Sequence, residues 1–178
     1  MTDYVVVGGG SAGAVVAARL SEDPTTSVTL IEAGGRPKQM EAGIPAAFSK
    51  LFKGPLDWDL ATVPQAALDG RELYWPRGRA LGGSSVINAM MWVRGHRADY
   101  DAWRDLGCAG WGYDDVLPYF RRAERRSPDA GDGAHGTDGP LHIQDHRDPN
   151  VVTATFLAAC AELGLERKPH HNTGDNEG

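Results

Sequence analysis

Residues Tyr4–Leu20 read YVVVGGGSAGAVVAARL. A tyrosine and three valines running into glycines have the composition of a short buried parallel strand. From Ala14 to Leu20 the chain is alanine-rich and free of glycine and proline, so a helix is expected to start near Ser11. Asp23-Pro24 ends that helix by turn chemistry. Val28–Ile31 (VTLI) then gives a second strand, closed by Glu32 and Gly34-Gly35. Strand, helix and strand over about thirty residues make a βαβ unit, and such crossovers are right-handed in nearly all cases.

The glycines between the first strand and the helix carry the chemistry. Gly8-Gly9-Gly10-Ser11-Ala12-Gly13 fits G-x-G-x-x-G, a weak pattern alone. Its position gives it weight: it follows a strand, opens a helix and is trailed by Glu32 at the end of a second strand. Gly8 permits the tight turn, Gly10 lets a diphosphate approach the backbone, and Gly13 lets helix and strand pack closely. Ser11 and Ala12 open the helix, whose N–H groups and positive end suit an anion. Glu32, followed by Ala33, is placed to accept hydrogen bonds from ribose hydroxyls, and its charge disfavours a 2′-phosphate. FAD and NAD share this arrangement, so these residues alone do not separate them.

A second stretch, Gly78–Gly95, reads GRALGGSSVINAMMWVRG. It has too much glycine for a core helix and too much apolar content for a surface loop. Backbone that is both bare and buried suits a large planar cofactor lying against it. Gly82, Gly83, Ser84 and Ser85 would pack one face of the ring. Arg79 and Asn88 would offer polar contacts, and the backbone from Asn88 through Ala89 and Met90 to Met91 would offer N–H groups. The two small-residue patches are expected to clasp opposite ends of one dinucleotide.

Bulk properties narrow the class. The chain has 178 residues, 41% hydrophobic and 24% charged, as in a globular protein with one respectable core. A net charge of -6 argues against nucleic acid or an acidic membrane surface as the main partner. No apolar run approaches the roughly 20 residues that span a bilayer. Asp3 and Tyr4 lead directly into a strand-like run, so no signal peptide is expected. Cys108 and Cys160 form neither a C-x-x-C motif nor a disulfide framework, which fits a reducing, cytoplasmic setting.

The remainder is less periodic. Between Arg36 and Pro76 prolines interrupt the pattern, and Asp69-Gly70 signals a hairpin turn. Asp99 is expected to cap a short helix running through Trp103 and ending at Gly107. Asp114 is expected to open another, with Pro118 near its first turn, running out through Arg121 to Arg126. Ser127–Pro140 reads as an acidic surface loop and Leu141–Ile143 as a strand. Asn150 can cap a last helix with Val152, Phe156, Ala159, Cys160 and Leu163 on one face, stopped by Gly164. The closing PHHNTGDNEG is turn-forming and polar. His96 is expected to be structural, and His135, His142 and His146 to meet solvent or turns. The adjacent His170-His171 lacks the spacing of a helical metal site, so no metal is expected.

The stretch Gly78-Arg79-x-Leu81-Gly82-Gly83-Ser84-Ser85-x-Ile87-Asn88, with Trp92, Gly95 and Asp101, resembles the first signature of the glucose-methanol-choline (GMC) oxidoreductases. GGGSAG at Gly8–Gly13 and LIEAGG at Leu30–Gly35 resemble the same family. So do Asp57-Trp58, Pro64-Gln65, Gly70-Arg71, Trp75-Pro76-Arg77-Gly78, RGHRADYDAW, GWGYDDVLPYFRRAE and HGTDGPLHI. The likeness covers nearly the whole chain and leans to the choline-dehydrogenase-like branch.

The resemblance implies an α/β, Rossmann-like FAD-binding fold of GMC type, incomplete here, with the start of a substrate-binding domain. Residues 1–98 would form the N-terminal part of the FAD-binding domain, with the flavin-contact segment at 78–95. Residues 99–178 would begin the substrate side. It further implies oxidation of a primary alcohol to an aldehyde by an oxidase or dehydrogenase. FAD contacts would fall at Gly8, Gly10, Ser11, Ala12, Gly13, Glu32, Ala33, Trp75, Arg79, Gly82, Gly83, Ser84, Asn88, Ala89, Met90 and Met91. Members with covalent FAD carry a histidine where this chain reads Val86-Ile87-Asn88, so binding should be non-covalent. The family's histidine base lies beyond Gly178, so no catalytic residue is assigned here. A C-terminal remainder or second polypeptide is expected to complete the sheet. Two alternatives stay open: an FAD-binding fragment or module without activity of its own, and an NAD-dependent dehydrogenase.

Overall fold

The computed structural model describes residues 2–127, 133–168, 170–174 and 176. The chain divides into two compact units, one ending at Met91 and one beginning at Trp92.

The first unit opens with β1 (Tyr4–Val7), α1 (Ser11–Leu20) and β2 (Val28–Ile31), with the bounds the sequence predicts. β1 and β2 pair in parallel, Tyr4 opposite Val28 and Val7 opposite Ile31. Val5, Val7 and Ile31 stand more than half exposed. Parallel sheets are normally covered on both faces, so these apolar faces are an incomplete layer of a doubly wound sheet.

The prolines of the next stretch hold short 3₁₀ turns at Met40–Gly43 and Pro45–Leu51 in place of longer elements. Two brief strands follow, β3 (Leu60–Ala61) and β4 (Tyr74–Trp75), paired antiparallel. Asp69 and Gly70, with φ 53° and 72°, turn the chain between them, and Arg71 N donates to Leu68 O across the turn. This is the mirror-image turn that an Asp-Gly pair favours. The unit's core is small: Leu51, Leu56, Ala80 and Ile87, with Ala42, Phe52 and Val86 packed against it. Two of its four buried residues come from the glycine-rich stretch itself.

The second unit begins with α2 (Arg97–Asp105) and α3 (Tyr113–Ala123). The sequence placed their caps too late. His96, not Asp99, caps α2: its Nδ1 accepts from Ala98 N, while Asp99 accepts from His96 N. Gly112, not Asp114, precedes α3, and Asp115 accepts from Gly112 N. In both helices the acidic residue sits at the third helical position, where its carboxylate reaches back to the free amide of the residue before the helix. Pro118 falls past the first turn of α3.

That helix also stops earlier than expected. Glu124–Arg126 is a strand, β5, paired in parallel with β6 (Leu141–Ile143). α4 (Val151–Glu162) is capped by Asn150 as predicted, its Oδ1 accepting from Val152 N. Its apolar residues are spread around the helix, not gathered on the single predicted face, and they remain open, with Phe156 65% and Leu163 83% exposed. Of the expected acidic loop, 128–132 lie outside the described residues. His135 and Gly136 are buried, contrary to a solvent-exposed loop.

Candidate functional site

The turn after β1 fits a phosphate-binding role, residue by residue. Gly8 has φ +96°, and a Cβ on Gly13 would stand 1.8 Å from the Gly8 carbonyl oxygen. No side chain other than hydrogen fits at Gly13. α1 begins with neither a side-chain cap nor an acidic residue in its first turn. Its N-terminal amides, at the exposed Ser11 and Ala12, are therefore left for an external acceptor. Gly10 sits at the mouth of this turn in an ordinary extended conformation, φ -80°.

Glu32 is tied into the same turn. Its Oε2 accepts from Gly9 N at 2.6 Å and its Oε1 from Gly34 N at 2.9 Å. The Gly34 amide, then the Gly9 amide, hold its carboxyl below the usual carboxylate range against a partial desolvation. A carboxylate has about four lone-pair sites, so acceptor capacity remains for a ribose hydroxyl. The sequence indicated a ligand contact but not the bracing of the glycine turn.

The second glycine stretch does not lie a dinucleotide's length away. Gly82 N donates to Gly9 O at 2.8 Å, and Leu81 N donates to Gly35 O at 2.9 Å. Gly83 has φ +54°, and a Cβ there would come within 2.7 Å of the Gly10 Cα. The two patches touch backbone to backbone, closer together than the sequence reading expected. Their sequence separation hid this, because only the folded 3₁₀ turn Gly83–Val86 brings them together.

The other candidate residues spread outward from that contact. Ser84 Oγ accepts from Gly78 N at 3.1 Å. Arg79's guanidinium lies over the Trp58 ring and Arg77's over Trp75, at 5.1 and 5.3 Å from the ring centroids. Asn88 Oδ1 is engaged with Met90 N at 2.9 Å, closing a local turn in which Met90 takes φ +56°. Ala33, Trp75, and Asn88 to Met91 are exposed, Met91 to 80%. A pocket of about 310 Å³ opens beside Ser84 and Asn88, bounded also by Phe52, Pro76, Arg77 and Ile87.

One residue entered the sequence reading only as part of a motif. Asp57 is 7% exposed, yet nothing in the local sequence indicates that burial. Its carboxylate accepts from the amides of Lys53, Asp59 and Arg77, at 2.8, 3.1 and 3.1 Å, and from the Tyr74 hydroxyl. Burial opposes its charge, but the Tyr74, Lys53, Arg77 and Asp59 bonds outweigh burial and keep the carboxyl below its ordinary value.

The second unit holds a buried polar cluster that composition and periodicity did not signal. Glu124, fully buried, accepts from Arg94 Nε at 2.9 Å, from Arg94 Nη2 and from Trp92 Nε1 at 2.7 Å. His135 Nδ1 lies 3.0 Å from the same carboxylate, so this histidine meets neither solvent nor a turn. Asn172, in the tail expected to be merely polar, accepts from Arg94 N and donates to Trp92 O, each at 2.8 Å. Burial raises the Glu124 carboxyl, but the Arg94 and Trp92 bonds, Arg94's charge and the His135 bond lower it further, to a net position below normal. Among the described residues no three His, Cys, Asp or Glu side chains could hold a metal ion. No helix among them is long and apolar enough to cross a membrane.

Known proteins share this chain's sequence pattern and fold. The family profile described as GMC oxidoreductase matches residues 2–178. An uncharacterised GMC-type oxidoreductase of Mycobacterium bovis is 58% identical over 168 residues, 92% of this chain and 32% of its own. An oxygen-dependent choline dehydrogenase of Sinorhizobium fredii is 42% identical over 177 residues, 99% of this chain and 32% of its own. The crystal structure of pyridoxine 4-oxidase from Mesorbium loti superposes with a TM-score of 0.93 at 46% identity, over 98% of this chain and 34% of that one. The chain thus spans about a third of the length of the curated relatives it matches.

Proposed function

The chain belongs to the GMC oxidoreductase family, and from that premise we propose that it holds FAD, non-covalently, for the oxidation of a primary alcohol to an aldehyde. The observation that carries the reading is the bare junction of Gly10 and Gly83, where any larger residue at Gly83 would press on the opposing backbone. Gly8, Gly10, Ser11, Ala12 and Gly13 would face the diphosphate, and Glu32 the ribose hydroxyls. Ala33, Trp75, Arg79, Gly82, Gly83, Ser84 and the backbone from Asn88 through Ala89 and Met90 to Met91 would supply the remaining contacts.

The residues fit the group on chemical grounds. Uncapped helix amides suit an anion, and a braced carboxylate suits a diol while repelling a 2′-phosphate. Bound FAD supplies a hydride acceptor for the alcohol carbon. This chain's part is to bind and orient: its glycines admit the diphosphate, and Glu32 fixes the ribose. The exposed amides of Asn88, Ala89 and Met91 would donate to the ring, while that of Met90 is held by Asn88 Oδ1. The base that removes the hydroxyl proton would come from the remaining two thirds of the protein, whether continuous with this chain or on a second polypeptide. Two unpaired cysteines, Cys108 and Cys160, support a cytoplasmic setting as part of the proposal.

A visible absorption spectrum of the intact protein tests the reading. Flavin bands that leave with the small-molecule fraction after acid denaturation support non-covalent FAD. Bands that stay with the protein contradict that mode of attachment. A colourless protein that retains NAD overturns the flavin reading altogether. Flavin without turnover of any alcohol would leave a cofactor-binding module as the better description.

A further inference from the structure

Asp57 stands outside every contact proposed above for FAD, yet it is the most heavily hydrogen-bonded carboxylate of the first unit. Three backbone amides and a phenol converge on it, and no arginine or lysine is paired with it among the ion pairs of the described residues. Burying a lone carboxylate is costly, so its retention calls for a structural account. Its partners supply one. Lys53 lies two residues past the core-forming 3₁₀ stretch, Tyr74 on β4, and Arg77 one residue before the glycine segment.

A relay of contacts runs on from Arg77. Trp58 N donates to Arg77 O at 2.8 Å, and Arg79 N donates to Leu56 O at 2.7 Å, so Asp57 is flanked on both sides by bonds to the segment 77–79, which it meets in an isolated bridge at Gly78. Gly78 N donates to Ser84 Oγ, and a Cβ on Gly78 would stand 2.1 Å from Gly83 O. Gly83 in turn rests on Gly10. Each link is backbone, or a short side chain on backbone, with little slack.

We propose that Asp57 is a positioning residue for the flavin-binding segment, fixing residues 77–78 so that Gly83 and Ser84 meet Gly10 in the geometry that receives the cofactor. This rests on the FAD reading above. Asp57 acts at one remove: it touches Arg77, Arg77 leads into Gly78, and Gly78 locates Ser84. Asparagine keeps the shape but replaces one acceptor with an NH₂ that faces donors, so the surrounding backbone must shift or lose a bond.

The test compares wild-type, Asp57→Asn and Tyr74→Phe forms of the intact protein after flavin removal and reconstitution with FAD. Three quantities are read: the FAD dissociation constant, the circular dichroism of the bound flavin in the visible, and the denaturation midpoint. Folded D57N is expected to bind FAD about tenfold more weakly, with an altered visible signal, when one charge-assisted contact is lost. Tyr74→Phe keeps the charge and three amide bonds and should move the same signals in the same direction by about two- to threefold. A purely structural role would lower the midpoint yet leave affinity and visible signal at wild-type values in the folded protein. That result overturns the assignment. If D57N does not fold, Tyr74→Phe decides in the same way. A wild-type protein that takes up no FAD would overturn the functional reading, and the assignment with it. FAD uptake by wild type with both variants unchanged would overturn the assignment alone.

Discussion

Alanine at Gly83 would strain the junction of the two glycine stretches in two ways whose sizes follow from the geometry. Gly83 has φ +54°, where a side chain costs about 1–2 kcal/mol. The new methyl would also sit 2.7 Å from the Gly10 Cα, and the neighbouring Gly82–Gly9 bond of 2.8 Å resists separation of the two backbones. Overpacking of this kind adds about 1–3 kcal/mol, for a total of about 2–5 kcal/mol. The methyl points at the opposing backbone and not at a planar ring, which is where the sequence alone would have placed it. Gly70→Ala is the control: φ is +72°, but nothing lies within 4 Å of its Cβ, so only the conformational part applies. Urea unfolding followed by tryptophan fluorescence, with m-values compared, measures both. G83A should be the more destabilised by about 1–3 kcal/mol. Equal losses for the two variants would refute the backbone contact.

Two further outcomes follow from the carboxylates. Glu32→Gln should weaken FAD binding by about tenfold, since one oxygen can no longer accept and the charge is gone; isothermal titration checks it, and unchanged affinity rules out the ribose role. Glu124→Gln should destabilise the second unit by about 3 kcal/mol by leaving the buried Arg94 unpaired, as read from denaturant midpoints. It should also flatten acid sensitivity. The Glu124 carboxyl lies below its unfolded value of 4.5, so the stability it adds is present above that value and is lost as pH falls through the folded one. A wild-type midpoint that stays level across that acid range would contradict the pairing.

The βαβ unit was legible because its signals are local: three valines, a glycine turn, an alanine-rich helix and VTLI occur in order, and each matches its own neighbours. The helix starts were misread by a few residues for a reason equally local. Asp99 and Asp115 reach back from the third helical position, and a histidine or glycine before the helix gives a weaker signal than an acid. The buried cluster around Glu124 was not legible. Its members, Trp92, Arg94, His135 and Asn172, lie up to 80 residues apart, and none of them belongs to a periodic face. Asp57 was likewise hidden, since its partners are mainly backbone amides, which leave no trace in side-chain pattern. For the candidate site, residue types were readable but not their adjacency: nothing in GGGSAG or GRALGGSS indicates that Gly10 rests against Gly83.

Gly10→Ala tests the central claim most directly. Its new Cβ would meet only the Gly83 Cα, at an ordinary 3.8 Å, and φ -80° suits alanine. The fold should therefore lose no more than about 1 kcal/mol, the cost of a poorer helix cap. If this backbone is bare so that a diphosphate can approach it, the FAD dissociation constant should rise by about tenfold or more, equivalent to about 1.4 kcal/mol. A folded G10A that binds FAD as tightly as wild type would contradict the account.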